Sequence, residues 1–210
     1  MKSMTAINAK RKQSGFTIIE LVVVILLLGI LTATALPRFM DVTDEAHTAV
    51  VDAVEGGFRT GTALFRAQWV AEGQPTATAV DTTGFNLFAS TLGYPKSVTS
   101  TLAATDCAAI YNSILQDGRP VAASATVANG ASALVRENAI EAAATATTDV
   151  VAVLEQAAAI ADSVSCTYYY TGQYKVGDTG TAARTLPTIS YNFTTGVITR
   201  ANTYQLALAP

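Results

Sequence analysis

The chain is poor in reactive side chains. Among its 210 residues there are two cysteines, one histidine and one tryptophan, and only 14% of the chain is charged. A single histidine excludes the usual His/Cys metal sets, and no zinc-type spacing, phosphate loop or Gly-x-Ser-x-Gly elbow occurs. His47 stands near Asp44 and reads as a surface histidine rather than a catalytic base. Asp41, Asp44 and Glu45 read as a solvated helical turn rather than a cation site. Neither cysteine has a candidate base beside it. These absences predict a protein that is not an enzyme and that needs no cofactor or metal.

Charge is also missing from one long stretch. Phe16 to Leu36 contains a single ionisable residue, Glu20. At about 1.5 Å per residue such a helix just crosses a bilayer core. Its interior, Leu21 to Leu28, is apolar all round, unlike an amphipathic soluble helix. Before it, Met1–Gly15 carries Lys2, Lys10, Arg11 and Lys12 and no acidic residue. Without those 15 residues, nine basic side chains face sixteen acidic ones, a net of −7. Nothing basic then remains that is dense enough for nucleic-acid binding.

The order basic stretch, small residue, apolar helix reverses that of an ordinary secretory signal, where the apolar region precedes the cut. Cleavage after Gly15 removes the charges and keeps the helix. The cluster Lys10-Arg11-Lys12 predicts a cytoplasmic N-terminus and an exported body. Glu20 is costly inside a membrane unless it finds a partner. A new α-amino group at Phe16, on the same or a neighbouring chain, is one available counter-charge; a snorkelling carboxylate near the membrane face is the alternative. Both cysteines, Cys107 and Cys166, follow the apolar run. An even count on the exported side suggests one disulfide, the alternative being two buried thiols.

Beyond Pro37 the pattern turns amphipathic. Val42, Ala46, Val50, Ala53, Val54, Gly57, Gly61, Leu64 and Trp69 recur at spacings near three and four, and predict a helix to about Val70, stopped by Gly73 and Pro75. Trp69 is expected in the core. Gly56, Gly57 and Gly61 weaken a helix but permit close approach of another element. Gly93-Tyr94-Pro95 reads as a turn, and Thr105-Asp106 as the cap of a short helix through Leu115. In the Ala-rich segment 121–161, Leu134–Ala144 and Val150–Ala161 read as helices. Cys166–Tyr170 reads as a strand, and Ile189–Phe193, Thr194-Thr195-Gly196 and Val197–Thr199 as a hairpin. The Asn192-Phe193-Thr194 sequon lies in that hairpin and is not expected to carry a glycan. The fold class is α+β: a long N-terminal helix packed on an antiparallel sheet placed late in the chain.

Ser14-Gly15-Phe16-Thr17-Ile18-Ile19-Glu20-Leu21 resembles the prepilin signature of type IV pilins and type II secretion pseudopilins. The resemblance implies cleavage between Gly15 and Phe16 by a prepilin peptidase, N-methylation of Phe16, and a role for Glu20 in subunit registration. It implies a precursor in the bacterial inner membrane, the assembly machinery and other pilins as partners, and an extracellular pilus as destination. The leader is long for this branch, and Met4 is an alternative start. Pro37-Arg38-Phe39, Arg66-Ala67-Gln68-Trp69, Gly93-Tyr94-Pro95, Asp106-Cys107 and Ile189-Ser190-Tyr191 resemble the mannose-sensitive haemagglutinin (MSHA) pilins. The division expected is leader 1–15, filament-core or membrane helix 16–37, amphipathic helix 38–70 and globular head 71–210. The functions weighed are a pilin, a secretion pseudopilin, and a membrane-tethered binding protein that does not polymerise.

Overall fold

The computed structural model describes residues 15–75, 79–80, 85–99, 102–127, 133–145, 147–156, 164–172 and 184–206. The chain divides into two units, Met1–Glu45 and Ala46–Pro210. Helix α1 (Ile18–Ala71) supplies most of the described part of the first and opens the second.

In the N-terminal unit α1 continues through Pro37. Its large apolar side chains are exposed: Leu21 to Leu28 are each between 41% and 60% exposed. The side chains of Asp41 and Asp44, weighed above as cation ligands, lie outside the described residues.

In the C-terminal unit α1 buries one face. Val51, Val54, Phe58, Phe65 and Trp69 are buried there, at spacings of three, four and seven. The face differs from the expected one, since Ala53 and Leu64 are exposed. The large side chains Phe58 and Phe65 win the core because they remove more apolar area from water than Ala53 or Gly57 would. The helix ends in a Schellman motif. Gln74 N–H donates to Trp69 O at 2.9 Å and Gly73 N–H to Val70 O at 3.2 Å.

A small antiparallel sheet follows: β1 (Ala79–Val80), β2 (Leu87–Ala89) and β3 (Pro95–Ser97). The expected turn at Gly93-Tyr94-Pro95 joins β2 to β3. Gly93 has φ +82°, and a Cβ there would also strike the Trp69 indole. Both facts require glycine. Trp69 in turn donates from Nε1 to Pro75 O at 2.9 Å, which satisfies its buried N–H.

Helix α2 (Asp106–Ile114) forms where expected. Its start differs: Thr105 is helical and makes no side-chain cap. Asp106, the first helical residue, is fully buried. Its carboxylate accepts from Ala103 N–H at 2.6 Å and Val98 N–H at 3.1 Å, tying the helix to the loop before it.

The main sheet has the order β4-β5-β6-β7-β8. Its strands are β4 (Ala122–Ala125), β5 (Val150–Gln156), β6 (Val164–Tyr170), β7 (Arg184–Asn192) and β8 (Ile198–Leu206). Helix α3 (Ala133–Ala143) connects β4 to β5, which run parallel. The sheet is therefore mixed, where an antiparallel one was expected; the other pairs are antiparallel.

The expected helix at Val150–Ala161 is corrected over Val150–Gln156, which form β5; residues 157–163 lie outside the described residues. The reason is burial on both faces. Val150 and Ala152 face the core that holds Phe58, Tyr168 and Ile110. Val151 and Val153 face a second core with Ile140, Tyr169 and Leu186. A strand buried on both sides reads as a continuous apolar run and loses its alternation.

Cys107 of α2 and Cys166 of β6 form a disulfide. With a sequence separation of 59 between the bonded positions, chain entropy gives it about 4 kcal/mol of stabilisation. The sulfurs sit in the main core, and Tyr168 donates its hydroxyl to Cys107 O at 2.9 Å.

The α1 glycines explain how α2 packs. A Cβ on Gly57 would lie 2.7 Å from Leu115 Cδ2, and one on Gly61 would lie 2.9 Å from Ile114 O. The end of α2 thus rests directly on the α1 backbone. Gly56 faces open space.

Candidate functional site

The candidate site is the entry to α1. Gly15 precedes the helix, with nothing within 4 Å of where a Cβ would stand. Phe16 is 84% exposed. Among the described residues nothing covers Gly15 or Phe16, as a processing site needs.

Thr17 caps the helix. Its Oγ1 accepts from Glu20 N–H at 3.3 Å. Glu20 answers with one carboxylate oxygen, which accepts from Thr17 N–H at 3.1 Å and from Thr17 Oγ1 at 2.9 Å. This reciprocal arrangement is a capping box, and it satisfies donors that a helix start leaves open. The partner of Glu20 in this chain is thus Thr17. Phe16 nitrogen, proposed above as counter-charge, is still in a peptide bond before cleavage. Thr17 was missed by sequence reasoning although Thr-x-x-Glu ahead of an apolar run is a legible cap signature.

Immediately after the cap, Ile18–Phe39 provides 22 residues with mean hydropathy 2.7, long and apolar enough to cross a membrane. Gly15, Phe16 and Glu20 therefore come together at the polar end of one apolar rod. The cysteine pair belongs to the C-terminal unit and takes no part in this site.

Residues 10–36 match the family described as the prokaryotic N-terminal methylation motif. The N-terminal segment carries that motif.

Two relatives agree. The chain is 46% identical over 69 residues to the type IV narrow pilus major component PilA5 of Thermus thermophilus. That match covers 33% of this chain and 58% of the relative. It is 49% identical over 41 residues to the type II secretion system core protein G of Pseudomonas aeruginosa, covering 20% of this chain and 29% of that protein. The chain thus spans less than two thirds of the length of either relative. No solved structure matches the chain significantly.

Elsewhere, His47 Nδ1 lies 2.8 Å from the Tyr170 hydroxyl at the end of β6, so the histidine is half-buried and hydrogen-bonded. Asn192 Oδ1 accepts from Thr194 N–H and Thr195 N–H, both at 2.9 Å, and closes the β7–β8 turn. Among the described residues, no group of three or more His, Cys, Asp or Glu is placed to hold a metal.

Proposed function

We propose that this chain is a structural subunit of a type IV pilus, of the MSHA type, with no catalytic role. A prepilin peptidase cuts between Gly15 and Phe16 and Phe16 is N-methylated. The precursor sits in the bacterial inner membrane with its N-terminus in the cytoplasm. The assembly machinery then draws it into an extracellular filament, with other copies or related pilins, for adhesion or motility.

The observation that carries the reading is the methylation motif set directly on an apolar helix with every large side chain exposed. The match to a pilus major component, longer than the motif itself, supports pilin over tethered monomer. Glu20 acts in registration. In lipid an unpaired carboxylate is costly. Cleavage creates a cationic amine at Phe16, and that amine on an adjacent subunit competes with Thr17 for the carboxylate.

The test is mass spectrometry of filaments sheared from the cell surface. The expected subunit begins at N-methylated Phe16; an intact leader in the filament defeats the processing claim. Glu20→Ala should be processed and membrane-bound yet depleted from the sheared fraction. Normal incorporation would remove Glu20 from the register role.

A second reading is a type II secretion pseudopilin, favoured by the identity to core protein G. Gene neighbourhood separates the two: MSHA pilus genes against a secretion operon.

A further inference from the structure

The turn after α2 holds an aspartate unlike the others described. The Asp117 side chain is fully solvent-exposed. Its successor is Gly118, with φ +88° and nothing within 4 Å of where a Cβ would stand. The Gly118 N–H makes no hydrogen bond among the described residues. Among the described residues the Asp117 carboxylate pairs with Arg119 Nη1 at 3.4 Å, a surface ion pair of small worth.

Other aspartates are held or hindered. Asp106 is buried with both carboxylate oxygens bonded, and Cys107 follows it in a helix. Asp149 accepts from Val121 N–H at 3.2 Å and is followed by the β-branched, strand-paired Val150. Asp52 pairs with Arg200, and Ala53 follows it inside α1.

We propose that Asp117-Gly118 is a site of spontaneous aspartate isomerisation in the folded protein. The Gly118 amide nitrogen attacks the protonated Asp117 side-chain carboxyl. The N–Cγ bond forms, and the amide proton leaves with the carboxyl hydroxyl as water, giving a five-membered imide. Water then opens the imide at either carbonyl. One opening restores aspartate; the other leaves isoaspartate, with the main chain running through the side-chain carbon. No oxidant, metal or enzyme enters the balance. Glycine matters twice: it carries no side chain to block the ring, and its backbone reaches conformations closed to other residues.

The product adds one methylene to the main chain inside a turn that Arg119 fastens. Arg119 donates to Leu115 O at 3.2 Å, Gln116 O at 3.1 Å and Asn112 Oδ1 at 3.1 Å. Isomerisation therefore loosens the C-terminal end of α2, where Ile114 and Leu115 rest on Gly61 and Gly57.

The test ages the full chain, folded, in mildly acidic buffer, and maps its peptides by chromatography and mass spectrometry. The expected result is a split Asp117 peptide without mass change, accumulating many-fold faster than at Asp106 or Asp149. Any deamidation at Asn129-Gly130 is distinguished by its mass gain. Asp117→Glu should abolish the split, because the larger ring closes far more slowly. An isomerisation rate at Asp117 no higher than at Asp106 overturns the proposal, provided the unfolded peptide isomerises in the same assay. A split that persists in Asp117→Glu overturns it as well.

Discussion

Leu26 and Phe58 are both large apolar residues of α1, yet Leu26 is 60% exposed and Phe58 is 0% exposed. The first belongs to the N-terminal unit and the second to the C-terminal one. One helix thus obeys two solvents. Around Leu26 every face is apolar, which fits surroundings of lipid or of other helices. Around Phe58 the helix is two-faced, because water lies on one side and a core on the other. Phe58 packs on Tyr168 at 5.1 Å and on Tyr191 at 5.6 Å between ring centroids. Hydrophobicity alone therefore does not say where a residue goes; its pattern around the helix does.

The contrast breaks first at Phe58. Phe58→Ala should destabilise the C-terminal unit by about 3–5 kcal/mol through a buried cavity, read by denaturant melting, while membrane partitioning of the chain stays unchanged. The converse is Leu27→Lys. It should cost about 2.5–3.5 kcal/mol of membrane insertion, read by carbonate extraction of membranes, and leave the melt alone. If either variant moves both readouts, the two units are not independent.

Two glycines sharpen the comparison within the second unit. Gly61→Ala should destabilise by about 1–3 kcal/mol, since the added methyl meets the Ile114 backbone oxygen. Gly56→Ala, five residues earlier on the open face, should stabilise by up to about 1 kcal/mol through helix propensity. Equal signs in thermal melts would contradict the packing of α2 on α1.

The smallest effect at neutral pH is the alkaline one. Burial raises the Tyr168 and Tyr191 hydroxyls well above the ordinary 10.0, and Tyr111 is raised by the same cause. The folded state therefore keeps protons that the unfolded state would release. Their contribution is complete below pH 10 and is lost as pH rises through the folded values. Tyrosinate absorbance should appear together with unfolding in an alkaline titration. Ionisation of these tyrosines in a still-folded protein would contradict their burial.

Much of this was legible in the sequence. The apolar span and the breakers Gly73 and Pro75 follow from periodicity and backbone chemistry. So do α2, the strand at Cys166 and the hairpin at Thr194-Thr195-Gly196. The stretch Val150–Gln156 was not, because alanine-valine runs suit a helix locally and only β4 and β6 on either side make it a strand. The register of α1 was shifted because Ala53, Gly57 and Leu64 were placed on the buried face and Phe58 and Phe65 were not. Strand β4 carries only Ala and Ser, with no β-branched signal to betray it. At the candidate site, Gly15, Phe16 and Glu20 stood out by type and order, whereas the cap made by Thr17 was visible and overlooked.

The order of the main sheet also bears on how the chain acquires its structure. From β5 to β8 each strand pairs with its neighbour in sequence, so these contacts are local along the chain. The contacts of α1 are of another kind: Arg59 reaches Ile198 O across 139 residues, and Asp52 meets Arg200 across 148. Loop-closure entropy must be met before such contacts help. The meander is therefore expected to condense early, and docking of α1 to be the late, slow step. Until then Phe58, Phe65 and Trp69 face water, and that interval is when the chain most needs protection from aggregation.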